Sequence, residues 1–251
     1  MKLSVVIPMY NESSIVENSV REFDGYLSSC KGLFDEYELI FSNDGSTDGC
    51  GEAVAEYAKT HPCVKLVGYE KNRGKGCAVR TGILASEGDI VMFTDCDMAF
   101  GVDVIGKVVS YLNENADKDV VVGSRNLKSD GYEGYTLIRK LASKAYIRIL
   151  GILGGFRLSD SQCGVKGFRG DAGRRIFSNC ETDGFAFDFE VIMTASALGY
   201  SVGELPVKII NHRESKVRVL RDSFRMIRDV IKIRRRVKKK FKKEKAAISG
   251  G

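Results

Sequence analysis

Residues 89–97 read Asp-Ile-Val-Met-Phe-Thr-Asp-Cys-Asp, an apolar run that ends in two carboxylates. Consecutive apolar residues bounded by polar ones are typical of a strand that is buried on both faces of a sheet. Similar short runs lie at 3–8, 37–42, 64–69 and 119–123, with helical patterns between them. This alternation predicts an α/β fold with a Rossmann-like, mostly parallel sheet and helices on both faces.

The helical patterns occupy the segments between and after these strands. Helices are predicted over 13–30, 50–60, 75–86, 102–113 and 135–155, with a helix inside 183–198 and strand structure over 201–210. The helix over 135–155 carries basic residues opposite its apolar ones. It is therefore either a helix packed in the core or one that lies at the headgroup level of a membrane.

Charge is distributed unevenly along the 251 residues. The net charge is +6, yet residues 213–245 hold 16 Lys/Arg against 4 Asp/Glu, whereas residues 1–212 hold 23 Lys/Arg against 29 Asp/Glu. We predict a domain over 1–212 and a basic amphipathic segment over 213–251, in which Leu220, Phe224, Ile227 and Ile231 recur at helical spacing. Such a segment is attracted electrostatically to an anionic membrane or to a nucleic acid. No apolar run has the 18 or more residues of a membrane span, so none is predicted.

The two carboxylates that follow the apolar run at 89–94 are candidate metal ligands. Asp95 and Asp97 lie two residues apart, directly after a buried run. Both can reach one hard cation, and Mg²⁺ or Mn²⁺ prefers oxygen ligands and leaves positions open for phosphate. A solvated acidic turn would have the same residues, but Asp44 also follows a predicted strand. In parallel sheets, ligands bind where the strands end, and this position favours the metal site.

A glycine-rich loop, Asn-Arg-Gly-Lys-Gly at 72–76, precedes the helix over 75–86. A loop of this kind that enters a helix suits phosphate, with Lys75 as the candidate contact. It is not a Walker loop, because no Ser or Thr follows the lysine. An ordinary surface turn remains the alternative.

Six motifs occur in order along the chain: VVIPMYNE at 5–12, NDGS at 43–46, NRGKG at 72–76, DCD at 95–97, DSQCGVKGF at 160–168 and FAFDFE at 185–190. Together they resemble the family 2 glycosyltransferases of the GT-A fold, in the branch that glycosylates polyprenyl phosphates. The resemblance covers roughly residues 3–230. Within the branch it is strongest to the dolichyl-phosphate β-glucosyltransferases, with the mannose synthases next. It therefore implies a nucleotide-sugar donor, with UDP-glucose favoured over GDP-mannose.

The resemblance assigns the donor side of the site. It implies that the nucleobase and ribose pocket is lined by Pro8, Tyr10, Glu12 and Asp44. It also implies that Asp95 and Asp97 hold a divalent metal, Mg²⁺ or Mn²⁺, and the donor diphosphate. The mannose synthases often offer one more metal contact at the position of Ala99, where this chain has none.

The acceptor side is assigned in the same way. The resemblance implies that Arg125, Arg139 and Ser143 grip the acceptor phosphate, and that Arg213 and Lys216 belong to a loop that closes over the donor phosphates. Arg139 and Ser143 are four residues apart and share one helix face. Arginine binds phosphate with paired, charge-assisted hydrogen bonds.

The expected reaction is a single displacement with inversion at the anomeric carbon. The second pKa of a phosphate monoester lies near 6, so this nucleophile needs little help from a base. If the acceptor is instead a hydroxyl, Asp97 or Asp188 is the candidate base.

Two further readings of the chain remain open. One is a family 2 enzyme acting on a glycan or another soluble acceptor. The other is a nucleotide- or nucleic-acid-binding protein led by the basic segment, although few aromatic residues lie there to stack on bases. The favoured reading is an enzyme at the cytoplasmic face of a membrane, held peripherally by its basic segment, with no nucleic-acid partner.

Overall fold

The computed structural model describes residues 1–128, 137–211 and 228–242, without the side chains of residues 137–144 and 146. The strands are β1 (Lys2–Met9), β2 (Glu36–Asp44), β3 (Val64–Tyr69), β4 (Ile90–Phe93), β5 (Val120–Ser124), β6 (Lys166–Arg169) and β7 (Val202–Pro206). The helices are α1 (Val16–Ser29), α2 (Cys50–Ala58), α3 (Lys75–Leu84), α4 (Val104–Glu114), α5 (Leu137–Gly154), α6 (Gly170–Ser178), α7 (Phe187–Ala197) and α8 (228–242).

The strands form one sheet in the order β3-β2-β1-β4-β6-β5-β7. All neighbouring pairs are parallel except those of β6, which runs antiparallel to both β4 and β5. The predicted mostly parallel sheet is therefore confirmed. The sequence interpretation missed β6, because a strand of four residues that starts with a lysine gives no apolar run. It also missed α6, the helix that directly follows β6.

Helices cover both faces of the sheet because side chains alternate along each strand. On β1, Leu3, Val5 and Ile7 pack with α1, α2 and α4 in one core, whereas Val6 packs with α3, α6 and α7 in a second core. Burial on both faces explains why the strands read as continuous apolar runs.

Helix α8 packs against the rest of the protein through a third core. Its residues Val230, Ile233, Val237 and Phe241 are buried against Leu150 of α5 and Phe189 and Met193 of α7. Ile231, which the predicted apolar repeat included, is instead 38% exposed. Neighbouring helices, rather than the spacing of four alone, thus select which stripe of α8 is buried.

The outward face of α8 is strongly basic. The exposed residues include five that recur every three or four positions and so form one stripe: Arg228, Lys232, Arg235, Lys239 and Lys242. In the part of the chain that the structure describes, no helix is both long and apolar enough to span a bilayer.

Candidate active site

The polar clusters that follow β1, β2, β4 and β5 lie at one edge of the sheet, because these strands are parallel. Strand β1 lies between β2 and β4, and its last residue, Met9, is level with Asn43 of β2. Residues 10–12, Asp44 and Asp95 therefore lie at or just after the ends of three adjacent strands. The carboxyl ends of parallel strands are where ligands bind in such folds.

Asp95 and Asp97 follow β4 in a tight turn. The backbone N–H of Ala99 donates to Oδ1 of Asp97 at 3.1 Å, and the N–H of Met98 donates to the carbonyl of Asp95 at 3.1 Å. Burial, followed by the negative charge of Asp95, raises the pKa of Asp97, and the Glu12 carboxylate adds to this effect. Three acidic side chains thus share a partly buried place, which favours a bound cation.

Lys75 is the cation that the structure places against this acidic group. Its Nζ forms an ion pair with Asp95. Burial lowers the pKa of Lys75, but the carboxylates of Asp95 and Asp188 outweigh burial and raise the pKa. Lys75 is the first residue of α3, so the glycine-rich loop delivers it directly to the acidic pair.

The segment that leads into β6 packs closely over Asp95. A Cβ atom on Gly164 would collide with the Asp95 carboxylate, so a larger residue here would displace that carboxylate. Near this point the hydroxyl of Ser161 and the amide nitrogen of Gln162 are buried with no hydrogen-bond partner among the described residues. Buried polar atoms of this kind are available to a ligand.

The donor set of Asp95 and Asp97 fits a hard divalent cation. Both supply carboxylate oxygens. Burial and then the charge of Asp95 raise the pKa of Asp97, so a cation beside the pair would stabilise its ionised form. Among residues 1–128, 137–211 and 228–242, no group of three His, Cys, Asp or Glu side chains forms a ready metal cage. A cation bound here would therefore complete its shell with water or ligand phosphate oxygens, as Mg²⁺ commonly does.

Asp44 holds the glycine-rich loop in place. It is 3% exposed, and its carboxylate accepts hydrogen bonds from the Tyr69 hydroxyl at 2.6 Å and Asn72 Nδ2 at 2.8 Å. The backbone N–H groups of Arg73 and Gly74 donate to it at 2.8 and 2.9 Å. Asp44 was predicted to line the nucleobase pocket; in the structure its oxygens are engaged with the loop.

The loop after β1 lies beside the loop after β2. Tyr10 is 42% exposed, while Pro8 is buried within β1 opposite Ser42. Asn11 has a positive φ of 50°, and its side-chain oxygen accepts a hydrogen bond from the Thr47 N–H at 3.0 Å. The exposed Tyr10 ring therefore stands above a rigid junction of two loops.

Asp188 lies deeper, at the start of α7. It is 8% exposed and pairs with Lys166, a fully buried side chain, at 2.5 Å. Burial raises the pKa of Asp188, while the charge of Lys166 opposes the rise. The lysine also donates to the carbonyl of Cys163 at 2.8 Å. Lys166 lies in the family motif at 160–168, but the short strand KGFR gives no local signal that this lysine is buried beside Asp188.

Arg125 pairs with Asp160 at the end of β5. Its Nε and Nη2 donate to the two carboxylate oxygens at 2.6 and 2.9 Å, and Asp160 is fully buried. The backbone of α5 carries Arg139 and Ser143, whose side chains lie outside the described residues. Arg213 and Lys216 also lie outside the described residues.

An open cavity of about 640 Å³ lies between the second half of α5 and the chain that follows it. Its walls combine apolar groups with two exposed arginines: Ile147, Ile152, Phe156, Leu158, Arg148 and Arg157. Ile149 and Ile152 are 43% and 72% exposed, although Ile147 and Leu150 of the same helix are buried. Helix α5 is thus packed on one side and presents apolar groups to the surroundings on another.

The chain matches the family described as glycosyl transferase family 2 over residues 4–176. It is 33% identical to a dolichyl-phosphate beta-glucosyltransferase of Trichomonas vaginalis, over 85% of this chain and 65% of that protein, slightly less than two thirds of its length. It is 31% identical to the dolichyl-phosphate beta-glucosyltransferase of Dictyostelium discoideum, over 92% of this chain and 73% of that one.

A solved structure shares the fold. It is glucosyl-3-phosphoglycerate synthase of Mycobacterium tuberculosis with Mn²⁺, UDP-glucose and phosphoglyceric acid. The TM-score is 0.68 at 22% identity, over 94% of this chain and 79% of that one. The predicted GT-A fold is confirmed by this likeness.

Proposed function

Because the chain belongs to glycosyltransferase family 2, we propose that it transfers a hexose, with glucose favoured, from a nucleotide diphosphate to a polyprenyl phosphate. The observation that carries the proposal is the convergence of Lys75 with Asp95 and Asp97 at the carboxyl edge of the sheet. The relatives named dolichyl-phosphate beta-glucosyltransferases support the lipid acceptor and the glucosyl donor.

The donor diphosphate binds between the acidic pair and the glycine-rich loop. Asp95 and Asp97 would hold Mg²⁺ or Mn²⁺, which would offset negative charge on the departing diphosphate. Lys75 adds a positive charge beside Asp95, at the N-terminus of α3, where the helix dipole also favours anions. The exposed ring of Tyr10, with Pro8 and Glu12, lines the nucleoside side.

The acceptor phosphate acts as the nucleophile. With a second pKa near 6 it is largely dianionic at neutral pH, so alignment and charge shielding matter more than proton removal. Asp188 is buried and paired with Lys166, which suits it to position the 163–166 segment rather than to exchange protons with solvent. A hydroxyl acceptor would require a base, and there Asp97 is the better placed candidate.

The acceptor lipid approaches along α5. The cavity beside this helix joins apolar walls to the cations of Arg148 and Arg157, a combination that matches a phosphate on an apolar chain. We retain Arg139, Ser143 and Arg125 as phosphate contacts and Arg213 and Lys216 as contacts that close over the donor.

The basic stripe of α8 holds the enzyme at the cytoplasmic face of a membrane. Anionic lipids attract clustered Lys and Arg side chains by about 1 kcal/mol each. Because the apolar face of α8 is buried in the third core, the contact is electrostatic and peripheral. The exposed Ile149 and Ile152 of α5 supply apolar groups for the same role.

The test is transfer of radiolabelled sugar from UDP- and GDP-hexoses to a polyprenyl phosphate, with Mg²⁺ or Mn²⁺. We expect metal-dependent label in the organic phase, and a loss of about a hundredfold or more for Asp97→Ala. Asp171→Ala is the matched control, because that carboxylate is fully exposed on α6. Label only on a soluble hydroxyl acceptor would contradict the lipid acceptor, and no transfer from any donor would contradict the enzyme class.

A further inference from the structure

A turn formed by residues 181–184 lies directly against the glycine-rich loop. The carbonyl oxygen of Asp183 accepts the N–H of Cys77 at 3.2 Å. A Cβ on Gly74 would lie 2.6 Å from that same oxygen, and Gly76 approaches the Thr182 carbonyl equally closely. The two backbones therefore touch, and the turn determines where the loop runs.

Charged side chains reinforce this backbone contact. The Asp183 carboxylate accepts hydrogen bonds from Arg73 Nε and Nη2 at 3.1 and 2.9 Å and from Arg80 Nη2 at 2.5 Å. Both arginines belong to the loop or to the helix that it enters. Although burial by itself raises the pKa of Asp183, the bonds from Arg80 and Arg73 outweigh it and lower the pKa. The carboxylate thus stays ionised and paired.

The turn is held from its other side by α8. Glu190 of α7 is 1% exposed, and its Oε2 accepts the N–H groups of Glu181 and Thr182 at 3.0 and 2.7 Å. Arg236 of α8 donates from Nη2 to Glu190 Oε1 at 2.5 Å and to the Thr182 hydroxyl at 2.8 Å. Without Arg236, the buried Glu190 carboxylate would lose its cation.

We propose that Arg236 is a positioning residue for the donor: through Glu190 and Thr182 it fixes the 181–184 turn, and the turn fixes the loop that carries Lys75. The proposal rests on the proposed function only in taking residues 72–76 as the loop that binds the donor diphosphate. Arg236 touches neither the acidic pair nor Lys75 in the described structure, so it acts through other residues. Arg236 is one of the many cations of α8, but it serves the active site rather than binding an external anion.

The experiment compares Arg236→Gln with Arg235→Gln. Both remove one positive charge from α8, but Arg235 is exposed on the outward stripe and, among the described residues, forms no hydrogen bond or ion pair with the turn. Binding of UDP and GDP with Mg²⁺ is measured by calorimetry without acceptor, and amide hydrogen exchange is measured over residues 72–77. Arg236→Gln is expected to weaken nucleotide binding by about threefold to tenfold and to speed exchange at Cys77. Arg235→Gln is expected to change neither.

Two further measurements separate positioning from a general loss of structure. Arg236→Gln should raise the KM for the donor and leave the KM for the acceptor unchanged, whereas Arg236→Lys, which keeps the charge beside Glu190, should recover part of the donor affinity. If Arg236→Gln does not fold, Thr182→Val removes one of the two bonds and should show the same effects more weakly.

Unchanged exchange and affinity in Arg236→Gln, or equal effects in both variants, would overturn the inference. If the wild-type protein binds neither nucleotide, the proposed function fails. Hydrogen exchange still decides the inference in that case, because it requires no ligand.

Discussion

Both carboxylate oxygens of Asp44 accept hydrogen bonds from the backbone N–H of Gly74, at 3.0 and 2.9 Å, across 30 residues of chain. This contact joins the end of β2 to the loop that delivers Lys75 to Asp95. The Asp44 carboxylate therefore binds the backbone of the loop, whereas the Asp95 carboxylate pairs with the Lys75 side chain that the loop delivers. Two acidic residues at the ends of β2 and β4, the strands on either side of β1, thus have different partners.

Replacement of Asp44 by Asn should disorder the glycine-rich loop. An amide has only one acceptor oxygen, and its NH₂ group would oppose an N–H donor. We expect a free energy of unfolding lower by about 1–3 kcal/mol and a weaker donor affinity. Urea unfolding and calorimetric UDP binding measure the two effects, with Asp171→Asn as the exposed control. An unaltered donor affinity would show that the loop does not need this carboxylate.

Replacement of Lys75 by Met should shift metal and nucleotide affinity in opposite directions. The methionine side chain keeps much of the length but removes the charge that neutralises Asp95. Mn²⁺ alone should bind more tightly, because the acidic pair loses a competing cation, whereas the Mn²⁺-nucleotide complex should bind about tenfold more weakly. Electron paramagnetic resonance of Mn²⁺ and calorimetry with UDP report the two affinities. A loss of both affinities would instead indicate that Lys75 is needed for folding of the site.

Replacement of Glu38 by Gln should change how the free energy of unfolding depends on pH, but it should leave the candidate active site intact. Glu38 is 2% exposed near the amino end of β2, where Ser4 and Lys65 hydrogen-bond to it at 2.5 and 2.6 Å. Burial by itself raises the pKa of Glu38, but these bonds outweigh burial and lower it below the ordinary value of 4.5. A lowered folded pKa contributes stability above the unfolded pKa, and this contribution is lost as the pH falls through the folded pKa.

The variant should therefore be less stable than the wild type at neutral pH by about 1–3 kcal/mol, and the difference should shrink under acid conditions. Urea unfolding at pH values from about 7 to about 3 follows this difference. Glu36→Gln, an exposed neighbour in β2, is the control. A constant difference at every pH would mean that packing, rather than ionisation, accounts for the loss.

Neutralising three cations of the α8 stripe should release the protein from anionic vesicles. Changing Lys232, Arg235 and Lys239 to Gln removes about 3 kcal/mol of attraction, or roughly a hundredfold in affinity. Vesicle flotation with and without phosphatidylserine measures the change, and substitution of the exposed Lys31, Lys59 and Lys107 by Gln is the matched control. Preferential loss of nucleic-acid binding in the same variant would favour the nucleic-acid interpretation of the basic segment.

Local periodicity made much of the fold predictable. The run at 64–69 coincides with β3, and the runs at 3–8 and 37–42 lie within β1 and β2. The family prediction from the ordered motifs is likewise confirmed by the match over residues 4–176. The strand order was not predictable, because the antiparallel β6 between β4 and β5 depends on pairing between segments that are distant in sequence.

The candidate site was also predictable from the sequence only in part. The positions of Asp44, Asp95 and Asp97 after predicted strands were readable, since the ends of parallel strands meet at one edge. Their partners were not: the buried Lys166 beside Asp188 and the link from Arg236 to Glu190 join residues 22 and 46 positions apart. Sequence spacing carries no information about such contacts until the chain has packed.

The basic segment shows which features the sequence determined and which only the tertiary structure decided. The sequence by itself predicted a basic amphipathic segment over 213–251, because helical spacing and charge are local properties, and the structure describes a helix over 228–242 of it. Only the tertiary structure decided that the apolar stripe of this helix covers α5 and α7, that the five cations of the basic stripe face outward and that Arg236 turns inward to a buried carboxylate. The physical reason is that the surfaces of the folded chain determine which side chains are buried or ion-paired. A helix has more than one stripe of side chains that could pack against those surfaces.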